Sequence, residues 1–168
     1  MICPVCGFEN IQGVDECENC GADLRTADIP SPGTAFEAKL VDVPLSEVHP
    51  HLPLTIDADA SAADAVSRMR EAGVGCLLVL GNGELKGILS ERDLVMKAAD
   101  GVADLEQVKV TELMTPDPVV LRSDDSVAVA IHKMAVGGFR HIPLVNDGHP
   151  TGIVSARDLF KYILDALA

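Results

Sequence analysis

Cys3 and Cys6, then Cys17 and Cys20, form two C-x2-C pairs separated by ten residues. Thiolates at that spacing grip one side of a tetrahedral ion, and two pairs complete a four-sulfur site with no open position for water. Such a site is structural rather than catalytic. The first residues carry no basic stretch followed by an apolar one, so clustered cysteines point to metal before disulfides. Gly7 and Gly21 follow the pairs directly and permit the tight turns that bring backbone N–H groups towards sulfur. A segment this short buries too little apolar surface to fold alone, so metal binding supplies its folding energy. The ligands alone leave zinc and iron both open, and a redox dithiol lacks its usual βαβ context.

A second pattern occurs twice. GILSERD runs from Gly87 to Asp93 and GIVSARD from Gly152 to Asp158, agreeing at five of seven positions. Ser90-x-x-Asp93 and Ser155-x-x-Asp158 each fit a capping box at a strand-to-helix junction, which needs no ligand. The same geometry also suits one. A helix N-terminus attracts anions, a hydroxyl binds phosphate or sugar, an Asp one turn in accepts from a ribose diol, and Arg92 or Arg157 adds a cation.

The elements that hold these motifs are duplicated as well. An offset of 65 residues carries Ser90 onto Ser155 and aligns Leu54–Val95 with Val119–Phe160 without a gap. That register marks an internal repeat. Ala62, Ala65, Val66 and Met69, and equally Val127, Ala130, Ile131 and Met134, fall at i, i+3, i+4, i+7 and predict amphipathic helices. Turns are expected at Gly73 and at Gly137-Gly138, strands at "CLLVL" and "IPLV", and tight hairpins at "GNG" and "NDG". A first short strand is expected around Thr55-Ile56 and Val119–Leu121. Each copy therefore reads strand, helix, strand, strand, helix. One copy alone is marginal in size, so two should pack as a pseudo-twofold pair with equivalent clefts. The class is α/β of the α+β kind.

Composition sets limits. The 168 residues carry a formal net charge of −13, which argues against binding nucleic acid through its phosphates. Any anionic ligand must be met by cations concentrated at its own site. Apolar residues make up 48% and aromatics 3%, so Val, Ile, Leu, Ala and Met should build the core. No apolar run reaches the ~18 residues of a membrane span. No Ser/His/Asp set, P-loop or G-x-G-x-x-G is present, so no enzyme is expected. A cytoplasmic location is expected.

Residues 1–25, with CPxCG, Asn10, CxxCG and Leu24, resemble the short zinc ribbons, which implies zinc on Cys3, Cys6, Cys17 and Cys20. Residues 44–168 resemble a pair of CBS domains, named for cystathionine β-synthase. Two in-register copies of G-h-h-S-x-x-D, "HIPLV" after Arg140 and "ELMTPDPVVL" carry that resemblance. It implies an adenosine-containing ligand such as AMP, ADP, ATP or S-adenosylmethionine. Asp93 and Asp158 would contact ribose, and Ser90 and Ser155 ribose or phosphate. It also implies a homodimer and an unknown regulated protein partner.

The copies differ. Arg140 and His141 precede Ile142 and Pro143 where the family often places cations, whereas the first copy has Gly75 and Cys76. Thr55 matches a hydroxyl position that often faces ligand; its counterpart is Val120. The Ser155/Asp158 site, with Arg157, Arg140 and His141, is expected to take phosphate better than the Ser90/Asp93 site with Arg92. The alternative is a ligand-free dimerising protein whose ribbon docks a protein or nucleic acid. His49 and His51 are read as a surface turn, His132 as exposed beside a helix's apolar face, and Cys76 as buried and inert. Asp57, Asp59, Asp124 and Asp125 are read as helix-entry and loop residues, not paired catalytic carboxylates. Domains are expected at 1–25 (ribbon), 26–43 (linker, with a strand or short helix near Phe36–Val43), 44–104 and 105–168. The Pro/Gly-bearing linker can decouple ribbon from pair.

Overall fold

Three strands of the first copy and one short strand from the start of the second build a four-stranded sheet. β1 (Thr55–Asp57) pairs parallel with β2 (Cys76–Gly81), and β2 pairs antiparallel with β3 (Glu84–Ser90). β4 (Thr115–Pro116) closes the far edge against Gly87 and Ile88. The computed structural model describes residues 2–11, 14–24, 34–99 and 104–167. The linker residues 26–33, and 100–103 near the expected boundary of the copies, lie outside these. Side chains at 35–37 and 97–99 are likewise outside them.

Local chemistry accounts for the elements. α2 (Ala62–Ala72) starts where the Ser61 hydroxyl accepts from the Asp64 amide, and α5 (Val127–Gly137) where Ser126 accepts from Val129. Gly73 and Gly138 end them in left-handed caps. Asn82-Gly83 and Asp147-Gly148 all have positive φ, the signature of type I′ hairpins joining β2 to β3 and β5 (His141–Asn146) to β6 (His149–Ser155). α3 (Glu91–Ala99) and α6 (Ala156–Leu167) begin directly after Ser90 and Ser155. α1 (Ala35–Asp42) resolves the expectation near Phe36–Val43 as a helix, and α4 (Val110–Leu113) leads into β4.

Two expectations need correction. The second copy forms no strand at Val119–Leu121; among the described residues only Leu121 bridges, and β5 and β6 stand as a two-stranded sheet. In the first copy the Leu78 amide donates to Leu54. Its counterpart is Pro143, which has no N–H to donate. His132 is not exposed: it is half-buried, and its Nε2 is buried with no hydrogen-bond partner among the described residues.

The chain forms two compact units, each using both copies. One comprises Met1–Pro50, Leu121–Ile142 and Val154–Ala168; the other comprises His51–Val120 and Pro143–Ile153. In the second unit, Ile56, Ala62, Ala65, Met69, Leu77, Val79, Leu89, Val110 and Leu113 form the core. Gly87 lies so near β4 that a Cβ there would meet the Thr115 carbonyl oxygen at 2.8 Å. Asp59 and Lys109 pair at 2.6 Å on the surface, and His149 Nδ1 donates to the Gly83 carbonyl at 3.2 Å. In the first unit, α1 packs on α5. The chain before the first copy is tied to the start of α5: Leu45 N–H donates to Asp125, Ser46 to Ser123 and Val127 to Val43.

Candidate functional sites: a four-cysteine ribbon and two Ser–Asp boxes

The cysteine segment is two knuckles with the same hydrogen-bond pattern. In each, the first cysteine's amide donates to the residue five on (Cys3 to Phe8, Cys17 to Ala22), and its carbonyl accepts from a glycine (Gly7, Gly21). Gly7 at φ 72 and Gly21 at φ 68 occupy the left-handed region that favours glycine. Single bridges, Ile2 with Glu9 and Glu16 with Asp23, close the knuckles. Asn10 joins them. Its amide donates to the Phe8 carbonyl and to Cys17 Sγ, and its Oδ1 accepts from the Glu18 amide. Leu24 packs beneath with Val14 and Ala22.

All four sulfurs lie within 4.8 Å of one another. Cys3 Sγ is 3.7 Å from Cys20 Sγ, and Cys6 Sγ is 3.6 Å from Cys17 Sγ. These are non-bonded separations, far beyond a disulfide's ~2.05 Å. They match the edge, about 3.8 Å, of a tetrahedron with metal–sulfur bonds of about 2.3 Å. The residues therefore fit a metal ion. Burial opposes ionisation of Cys17, but the amides of Cys20 and Asn19, then the Asn10 side chain and Cys6, hold its thiol down to about 6. The Ala22 amide favours the Cys20 thiolate, yet Cys6, burial, Cys17 and Cys3 together push that thiol up to about 12. Four crowded sulfurs cannot all ionise without a cation among them, which is the condition a metal relieves.

The two boxes match closely. The Ser90 amide and hydroxyl both donate to Asp93 Oδ2, at 2.8 and 2.6 Å, and the Asp93 amide returns to Ser90 Oγ at 3.4 Å. In the second copy Ser155 and Asp158 repeat these bonds at 2.8, 2.6 and 3.3 Å. Each carboxylate is thus fixed in direction by its own serine, whose hydroxyl proton is committed to it. What Ser90 or Ser155 retains for a ligand is acceptor capacity. All four residues are half-buried, while Arg92 and Arg157 are exposed.

The strand before each box is tied to it. The Glu91 amide donates to the Gly75 carbonyl at 3.0 Å, and the Ala156 amide to the Arg140 carbonyl at 2.8 Å. Arg140 therefore abuts the first residue of α6; it is exposed and His141 half-buried. Ile142 and Pro143 are buried. Thr55 is half-buried, and its carbonyl accepts from Arg68.

Sequence reasoning missed Glu91. Its carboxylate stands within 3.3 Å of where a Cβ on Gly75 would be, and burial followed by this charge pushes the Cys76 thiol up to about 12. The first box thus carries an extra negative charge where the second has Ala156. The offset could have revealed it. Also missed was an ion pair between Lys133 Nζ, on α5, and Asp15 Oδ1 of the ribbon, at 2.5 Å, with the Lys133 side chain 5% exposed. Among the described residues no helix is long and apolar enough to cross a membrane.

The family model described as CBS domain matches residues 45–100 and 110–165. A CBS domain-containing protein of Arabidopsis thaliana, CBSCBSPB5, is 34% identical over 116 residues, 68% of this chain and 21% of its own length. This chain thus spans about a fifth of that relative. The solved CBS-domain containing protein ATU1752 from Agrobacterium tumefaciens aligns with a TM-score of 0.65 at 28% identity, covering 70% of this chain and 94% of that one. A hexameric CBS-CP12 protein from bloom-forming cyanobacteria aligns with a TM-score of 0.65 at 28% identity, over 71% of each chain.

Proposed function

From the premise that this chain belongs to the CBS-domain family, we propose that it is a regulatory sensor of an adenosine-containing ligand: AMP, ADP, ATP or S-adenosylmethionine. The protein it regulates carries no signature in this sequence. The reading assigns it no turnover, a cytoplasmic setting, a structural zinc on Cys3, Cys6, Cys17 and Cys20, and domains at 1–25, 44–104 and 105–168 joined through 26–43. The observation that carries the reading is the contrast in charge between two boxes of equal geometry. At the second, Arg140 abuts α6, Arg157 stands in its first turn and Ala156 adds no charge. At the first, Glu91 replaces Ala156 and Gly75 replaces Arg140. In a chain of net charge −13, a phosphate needs local cations together with a helix N-terminus, and the second box has both. Asp158, aimed by Ser155, is the ribose acceptor, with His141 and Ile142 following on the strand whose Arg140 carbonyl binds α6. Ser90, Arg92, Asp93 and Thr55 form the weaker site.

Thermal unfolding of the zinc-loaded chain with a panel of adenine and guanine nucleotides and S-adenosylmethionine tests this. Ligand at 100 times its dissociation constant adds about 2.7 kcal/mol, raising Tm by roughly 5–10 °C. Asp158→Ala should lose this ligand-dependent rise. Arg140→Gln, which leaves the box intact, should lose most of it for phosphate-bearing ligands only. Asp93→Ala should keep it. The variants are compared by ligand increment, because losing a cap costs about 1 kcal/mol without any ligand. No shift across the panel would return both boxes to helix capping.

One observation favours a second role, self-association. Phe160, Leu164 and Leu167 fall at i, i+4, i+7 on α6 and are 61%, 51% and 62% exposed. A second copy is the natural cover, as a homodimer. Leu164→Glu should convert a dimer to monomer in sedimentation velocity; an unchanged profile would remove α6 from the interface. Without a nucleotide shift, this dimer and a ribbon that docks a protein or nucleic acid remain as the function.

A further inference from the structure

The duplication supplies an internal control for α5. The buried residues of α2 are Ala62, Ala65 and Met69, a single stripe. Their counterparts on α5, Val127, Ala130 and Met134, are buried too. But α5 also buries Val129 and Lys133, a second stripe at i, i+4. The same positions on α2 are Asp64 and Arg68, both exposed, and Arg68 reaches the Thr55 carbonyl. The second copy has therefore given up a solvated helix face. Asp15 of the ribbon meets Lys133 there, and α1 packs on the same helix.

Lys133 is 6% exposed, so its ammonium is held away from water. A buried ammonium demands a carboxylate or other acceptors nearby, and removing the carboxylate is strongly unfavourable. Asp15 lies two residues before Cys17, and its carbonyl accepts from the Leu24 amide. Its position is thus set by the ribbon, whose folding depends on metal. α5 also packs on α6, and the turn after α5 brings the Arg140 carbonyl to the Ala156 amide.

We propose that metal occupancy of the ribbon controls the order of α5 through the Asp15–Lys133 pair, and thereby the competence of the Ser155/Asp158 box on α6. The last step rests on the nucleotide-binding reading; the first does not. With metal bound, Asp15 neutralises Lys133 and α5 is fixed. Without it, the ribbon unfolds, the carboxylate leaves, and the helix loosens to let the ammonium reach water.

The experiment uses the full chain, zinc-loaded and zinc-free, with amide hydrogen exchange over Val127–Gly137 and thermal unfolding as readouts. Zinc removal should lower the Tm of the CBS transition by roughly 5–10 °C and speed exchange in α5 more than in α2. Lys133→Met, which removes the buried charge, should make α5 exchange largely independent of zinc. Asp15→Asn should reproduce much of the zinc-free exchange with zinc still bound, so the test survives a misfolded Lys133→Met. Ribbon unfolding with α5 exchange and Tm unchanged would overturn the proposal. So would a Lys133→Met chain that keeps the full zinc dependence. If no nucleotide binds in either metal state, the sensor reading fails while the exchange data still decide the coupling.

Discussion

Cys17→Ser is expected to leave residues 2–24 unfolded and to abolish uptake of the single metal ion that the four sulfurs fit. Cys17 is the hub of the ribbon: its sulfur faces Cys6 at 3.6 Å and receives Asn10, its amide binds Ala22, and its carbonyl holds Gly21. The ribbon core beyond the two buried cysteines is Leu24 with partly buried Val14 and Ala22. So little apolar surface cannot offset the conformational entropy of some twenty residues. A structural zinc site supplies on the order of 10 kcal/mol of folding energy, and three sulfurs do not replace four. Metal content by elemental analysis and the amide spectrum of residues 2–24 check the result together. A well-dispersed ribbon spectrum in metal-free Cys17→Ser protein would show that the segment folds without metal.

The second large effect concerns the core beneath the first box. Leu89→Ala is expected to destabilise the chain by about 2–5 kcal/mol, the usual cost of deleting a fully buried leucine side chain. Leu89 is 0% exposed and lies opposite Leu77 in the β2–β3 ladder, among Ile56, Met69 and Val79. The cavity would open directly under Ser90, one residue on. Val154, its counterpart, is also 0% exposed but smaller, so Val154→Ala should cost less. Urea denaturation of both variants reads this as a shift in midpoint with little change in slope. A Leu89→Ala loss below that of Val154→Ala would mean that the site collapses to fill the space.

Much of this was legible because it rests on local rules. Ser61 and Ser126 announce helix starts, Gly73 and Gly138 helix ends, and Asn82-Gly83 and Asp147-Gly148 hairpins; each acts over a few residues. The boxes and the cysteine pairs are equally local, and the repeat multiplies the signal. The failures come from contacts that sequence spacing does not encode. A single Leu-to-Pro difference at 78 and 143 removes an amide and with it the ladder that would have made a strand of Val119–Leu121. Nothing in the spacing marks Lys133 as buried, since Arg68, its counterpart, is exposed. The apolar change from Asp64 to Val129 was the available hint that this face is covered. His132 beside it is half-buried, with Nε2 withdrawn from water. Glu91 lay inside a quoted motif, but its meaning came only from its neighbour Gly75.

The stitching of the chain's beginning to the second copy has a temporal side. Asp15 and Lys133 are 118 residues apart, and Val43 and Leu45 bind Val127 and Asp125 over some eighty. A ribosome delivers Asp15 118 residues before Lys133 of α5. The unit around β1–β4 is nearly contiguous and can condense while synthesis continues, but the other must wait until α5 and α6 have been made. A ribbon that takes its metal early would spend that interval as a finished piece with one carboxylate still unmatched, and this unit would close when the later-made α5 brings Lys133 to Asp15.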